Sequence, residues 1–129
     1  MAWELDSQRP IYLQIVERIQ YDIVSGRYKP GERLPSVRDL ALEASVNPNT
    51  MQKALSELEQ GQLVYSQRTS GRFVTEDLSL IQSVREELAK YQIRDLIMRM
   101  KKLGFQKDGI LKLIDSIYEE VAISYETGM

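Results

Sequence analysis

A chain of 129 residues, 43% hydrophobic and 28% charged, holds one ordinary domain or a small domain with a short appendage, and its balance is that of a globular protein. Cysteine and histidine are both absent, which excludes disulfides, thiolate metal sites, His-ligated zinc and both Ser-His-Asp and Cys-His catalysis. The formal net charge of −2 is not that of a generally basic nucleic-acid binder, so DNA binding would need cations concentrated on one face.

The opening residues, MAWELDSQRPIY, lack the basic start and apolar stretch of a signal peptide. No apolar run approaches the roughly 18–20 residues of a membrane span. A cytoplasmic protein without a membrane partner is the expectation. Carboxylates are plentiful, but nothing in their spacing suggests a buried catalytic pair, so neither an enzyme nor a cofactor is expected.

The first helix is predicted from Pro10 to Ser25, where Tyr12, Ile15, Ile19 and Ile23 recur at helical spacing and Val16 widens the stripe. Gly26 is its stop, and RYKPGERLPS, with two prolines and a glycine, reads as an ordered loop. A short second helix is predicted over Ser36 to Ala44, with Ser36 and Asp39 as a capping box and Val37, Leu40, Ala41 and Ala44 turned inward. After the break at Ser45-Val46, Asn47 suits an N-cap and Pro48 the first helical position. The third helix therefore runs from Pro48 to about Gln60, with Met51, Ala54, Leu55 and Leu58 as its core face and Gly61 as its end.

Beyond Gly61 the period shortens. Leu63-Val64-Tyr65 and Arg72-Phe73-Val74 are β-prone runs flanking QRTSG, the pattern of a hairpin. Helix, helix, turn, helix, hairpin is the order of a winged helix. The remainder carries only helical signal, one helix over Ser79 to Leu103 stopped by Gly104 and another over Lys107 to Tyr125. The expected fold is mainly α with a small β-hairpin: a winged helix-turn-helix over residues 1–77, then a helical dimerisation hairpin over 78–129.

From Pro10 to Val74, PIYLQIVERIQYDIVSGRYKPGERLPSVRDLALEASVNPNTMQKALSELEQGQLVYSQRTSGRFV closely resembles the DNA-binding domain of the GntR family of bacterial regulators. GERLPSVRDLA, VNPNT and GRFV are the most specific pieces, in the right order and spacing. The short helical tail, with MKKLGFQKDGILKLIDSIYEE, is similar to the two-helix tail of the YtrA-like branch. The resemblance implies a homodimer formed by the tail, double-stranded operator DNA as partner, and no metabolite sensing within the tail itself. Whether a small-molecule effector exists stays open.

The residues make physical sense of that family. A recognition helix presents its first turns to the major groove. With its apolar face buried, the third helix shows Asn49, Thr50, Gln52 and Lys53 outward. Asn and Gln pair with adenine edges, Thr reaches phosphate or a thymine methyl, and Lys reaches guanine or phosphate. The resemblance further implies that Arg38 reaches a base edge and that Ser36 and Thr50 bind phosphate. Arg68, Thr69, Ser70, Gly71 and Arg72 surround the hairpin tip, where a wing meets the minor groove or its phosphates. Many relatives carry glycine where Thr69 stands and threonine where Arg72 stands, so the resemblance does not carry over the wing's turn conformation or its exact contacts.

Plainer readings stand beside these. Asn49, Gln52 and Lys53 are also what any solvated helix face shows. Arg27, Lys29 and Arg33 suit either the phosphate backbone or a solvated loop. The tail's apolar rows include Ile110, Leu113, Ile114, Ile117 and Val121, with Leu111, Tyr118 and Tyr125 as a second row. On the preceding helix Ile81, Val84 and Leu88 are joined by Ile93, Leu96, Ile97, Met100 and Leu103. Rows this wide need either the winged helix of the same chain or a second copy. A winged helix used only to bind proteins is the rival function, and apolar anchors on the third helix would favour it.

Overall fold

The computed structural model describes residues 3–126, with the side chains of Tyr125 and Glu126 outside the described set. In chain order these residues form α1 (Ile11–Val24), α2 (Val37–Ala44), α3 (Pro48–Gln60), β1 (Val64–Gln67), β2 (Gly71–Val74), α4 (Leu78–Lys102) and α5 (Lys107–Glu126). Five helices and one hairpin match the mainly α, winged helix-turn-helix expectation. Packing divides them into two units, one ending at Leu88 and the next starting at Ala89.

The core of the first unit forms where the periodicity places it. Ile15, Ile19, Leu40, Met51, Leu55, Val64 and Val74 are its largest fully buried side chains. Each contributes on the order of 1.5–3 kcal/mol relative to leaving it in water. Local capping sets the helix ends. The Asp39 N–H donates to the Ser36 hydroxyl at 3.1 Å, and the Asn49 N–H donates to the Asn47 side-chain oxygen at 2.7 Å, with Pro48 opening α3. Between α2 and α3 the chain turns at Ser45, whose φ is 58°, while the Val46 N–H returns to the Ala41 carbonyl at 3.0 Å. A left-handed serine costs about 1–2 kcal/mol, tolerated because the flanking helices determine the turn.

Two local details differ from the sequence reading. Gly61 caps α3 as expected but stays right-handed at φ −80°, and the left-handed turn falls on the next residue, Gln62, at φ 65°. The loop 31–34 does more than connect. Gly31 N–H donates to the Val74 carbonyl, Val74 N–H to the Glu32 carbonyl and Leu34 N–H to the Arg72 carbonyl, each at 2.9 Å. Arg33 thereby bridges Phe73, so the loop adds a third edge to the wing beside the β1–β2 ladder. A paired segment this short, held between Pro30 and Pro35, carries no alternation from which a strand is read.

The N-terminal residues form a strap that periodicity does not reveal. Trp3 is buried in the core cluster, its indole N–H donates to Glu43 of α2 at 3.0 Å, and the Arg18 guanidinium lies 4.6 Å from its ring centroid. Gln14 pins the following residues by accepting from the Asp6 N–H and donating to the Asp6 and Arg9 carbonyls. Trp3→Ala is expected to cost about 3–5 kcal/mol, the range for emptying a buried aromatic site. Urea unfolding followed by far-ultraviolet circular dichroism checks this, and an unchanged midpoint would remove the strap from the core.

The start of α4 belongs to the same core. Ile81 is buried, Leu80 and Val84 pack beside it, and Arg85 donates to the Val24 carbonyl at 2.9 Å. These contacts explain why the packing unit ends at Leu88, about three helical turns beyond the Asp77/Leu78 division expected from the hairpin's end. In the second unit the situation reverses. Ile110 is its one buried large apolar residue among the described residues. Ile93, Leu96, Ile97, Leu113, Ile114, Ile117 and Val121 are all exposed.

Candidate nucleic-acid interface

On α3 the burial of Met51, Ala54, Leu55 and Leu58 turns Asn49, Gln52 and Lys53 to solvent and leaves Thr50 half-buried. Lys53 rests its ammonium 3.9 Å from the centroid of the Tyr12 ring on α1. An exposed cation–π contact is worth about 0.5–1 kcal/mol, so this lysine is released cheaply. Ser36 and Arg38 are both exposed at the start of α2. The Ser36 hydroxyl is the helix cap, and Arg38 has no hydrogen bond or ion pair among the described residues.

The wing's tip is the three-residue loop 68–70. Gln67 faces Gly71 across the hairpin, and the Ser70 N–H donates to the Gln67 carbonyl at 3.0 Å. Within residues 67–72 the left-handed conformation falls on Gly71 alone, at φ +100°. Thr69 is therefore never asked for the backbone that a glycine would supply there. Arg68, Thr69 and Ser70 are exposed.

Arg72 sits differently. Its guanidinium pairs with Glu59 of α3, and the same carboxylate accepts from the Ser66 hydroxyl at 2.7 Å. The Ser66 hydroxyl first, and then Arg72, hold Glu59 below the usual carboxylate range against the opposing effect of burial. A carboxylate lowered in the folded state stabilises fully above its unfolded pKa and loses that contribution as pH falls through the lowered value. Arg72 thus fastens the start of β2 to α3, whereas Arg68 has no carboxylate partner at the tip among the described residues.

This pairing resolves the contradiction posed by net charge. Arg9, Arg18, Arg27 and Arg72 pair with Glu17, Asp22, Glu43 and Glu59. Arg33, Arg38, Lys53 and Arg68 have no carboxylate partner among the described residues. Local cations stay available although the total is acidic. Arg27 belongs to the paired set and also stacks on Tyr28, with 5.3 Å to the ring centroid. Lys29 is exposed, and its backbone N–H is held by Glu32. The cleft beside the start of β2 joins Ser36, Gly71 and Arg72 with Arg33, a residue that sequence reasoning left undecided. The pairing of 31–34 with β2 would have singled it out, but that signal is absent from the local sequence.

A helix-turn-helix with a paired wing and a set of unpartnered cations defines a winged helix-turn-helix DNA-binding protein. Residues 11–74 match the family described as bacterial regulatory proteins, gntR family. The HTH-type transcriptional repressor YtrA of Bacillus subtilis (strain 168) is 32% identical over 117 residues, spanning 89% of this chain and 89% of that protein. A solved GntR family transcriptional regulator from Listeria monocytogenes is 39% identical, with a TM-score of 0.79 over 87% of this chain and 98% of that one. AraR(DBD) in complex with operator ORX1 is 29% identical, with a TM-score of 0.51 over 58% of this chain and 92% of that one. The chain belongs to the GntR family of transcriptional regulators, in its YtrA-like branch.

Proposed function

We propose that this regulator is a repressor that binds a palindromic operator as a homodimer, joined through α4 and α5 and blocking transcription from the site it occupies. The observation that carries the reading is the exposed polar row of α3, with Arg38 on α2 and Arg68 on the wing unpaired among the described residues. In the major groove Asn49 and Gln52 meet adenine edges, and Lys53 leaves Tyr12 for guanine or phosphate. Arg38 reads a base edge, while Ser36 and Thr50 hold phosphate. Arg68, Thr69, Ser70 and Gly71 lie along the minor groove, with Arg72 keeping the wing in place through Glu59. A protein-docking face in place of this one would carry apolar anchors, and the outward side of α3 carries none.

Dimerisation is supported by the apolar rows of the second unit, which stay partly exposed in the single chain, from Ile114 at 37% to Val121 at 59%. A two-fold dimer presents two recognition helices, so symmetry in the protein is mirrored in the site. Selection of bound fragments from random duplexes is expected to return a palindrome, and binding is expected to fall steeply with salt as cations displace phosphate counterions. An enriched site without two-fold symmetry would remove the symmetric dimer. Binding indifferent to salt would remove the DNA reading altogether.

A further inference from the structure

Arg33 differs from the other unpartnered cations because the fold holds its base rigid. Its backbone bridges Phe73, and the next residue, Leu34, donates to the Arg72 carbonyl. Its guanidinium lies along Gly71, close enough that a Cβ there would meet the Arg33 Nε at 3.1 Å and Nη2 at 3.4 Å. Gly71 thus has two reasons to be glycine, its φ of +100° and this close approach. Side chain and loop together wall a cleft of about 170 Å³ whose other lining includes Ser36, Val37, Gly71 and Arg72.

The chemistry around the cleft is one-sided. Arg72 is neutralised by Glu59, and the Ser36 hydroxyl accepts from the Asp39 N–H, which leaves its O–H to donate. Arg33 is exposed and has no carboxylate partner among the described residues. The N–H groups of Val37 and Arg38, in the first turn of α2, have no acceptor among the described residues. A guanidinium fork beside free backbone N–H groups suits an oxyanion of phosphate geometry.

We propose that Arg33 is a phosphate-binding residue, closing on a DNA backbone phosphate in the cleft between the start of β2 and the start of α2. The inference rests on the DNA reading above and adds to it a fixed contact that anchors without reading sequence. A backbone strand running between the groove read by α3 and the groove met by the wing passes this cleft. Arg33 then sets the register of the wing against α2, and Arg38 and α3 set the sequence.

The test uses the full chain, with operator and scrambled duplexes titrated across a salt series. Arg33→Gln is expected to weaken both duplexes by the same factor and to lower the log–log salt slope by about 0.9 per protomer, one phosphate's worth of counterions. Arg33→Lys should restore the slope, because charge rather than fork geometry sets it. A methylphosphonate scan of the operator should find one phosphate per half-site whose neutralisation weakens the parent but not Arg33→Gln. An unchanged slope, or a loss confined to the operator, would overturn the proposal while leaving the DNA reading intact. Inorganic phosphate alone saturating the Arg33 Nε resonance, with the slope unchanged in Arg33→Gln, would assign the cleft to a free anion and also overturn it. Salt-insensitive binding by the parent would instead remove the DNA reading, and this proposal with it.

Discussion

Ending the chain at Leu88 is expected to yield a folded monomer whose operator affinity has dropped by roughly 10²–10⁴-fold, the advantage that joining two binding modules confers. The cut follows packing rather than the end of the hairpin. Stopping at Asp77 would remove Ile81 from the core and the Arg85 bond to Val24, mixing loss of fold with loss of dimer. Stopping at Leu88 keeps both and removes the rows containing Ile97, Leu113, Ile114 and Ile117, which stay between 37% and 49% exposed in the single chain. Surface of that kind is unfavourable in water by about 25 cal/mol per Å² and is relieved by a second copy. Sedimentation equilibrium on both lengths, with binding to the full operator and to one half-site, checks the result. A truncated protein that still sediments as a dimer would move the interface into the winged-helix unit. Equal affinity of the two lengths would deny any role for pairing.

Arg38→Ala is expected to cost about 1–3 kcal/mol per lost base contact and to relax preference at one position in each half-site. The structure prepares Arg38 for this. It is exposed, lies one residue before Asp39, whose N–H donates to the Ser36 cap, and among the described residues has no carboxylate to leave before meeting a base. Thr50→Ala should weaken operator and scrambled duplexes about equally, because a phosphate contact positions without specifying. The pair of variants is informative together. Equal losses on both duplexes for Arg38→Ala would demote it to a phosphate contact, and loss of discrimination in Thr50→Ala would promote that residue to a reader.

Much of this architecture was legible because its determinants are local. The spacing of Ile15, Ile19 and Ile23 defines α1, and Met51, Ala54, Leu55 and Leu58 define the inward face of α3. Ser36 and Asn47 cap helices by bonds to N–H groups only two or three residues on, and Pro48 opens α3 at the expected position. An amphipathic pattern also dictates what remains outside, so the outward row of Asn49, Gln52 and Lys53 followed once the core face was identified.

The tertiary structure decided whatever depends on partners distant in the chain. Trp3 meets Glu43 forty positions away, and the 31–34 loop gains strand character only from β2. Charge behaves likewise. Composition yields a net −2, but only folding neutralises Arg27 and Arg72 while leaving Arg33, Arg38 and Arg68 free, because ion pairs form between neighbours in space. The end of the winged-helix unit at Leu88 has the same origin. A continuous helix carries no local mark where its packing partner ends, so Ile81 and Val84 look no different from Ile93 and Leu96 until the core is assembled against them.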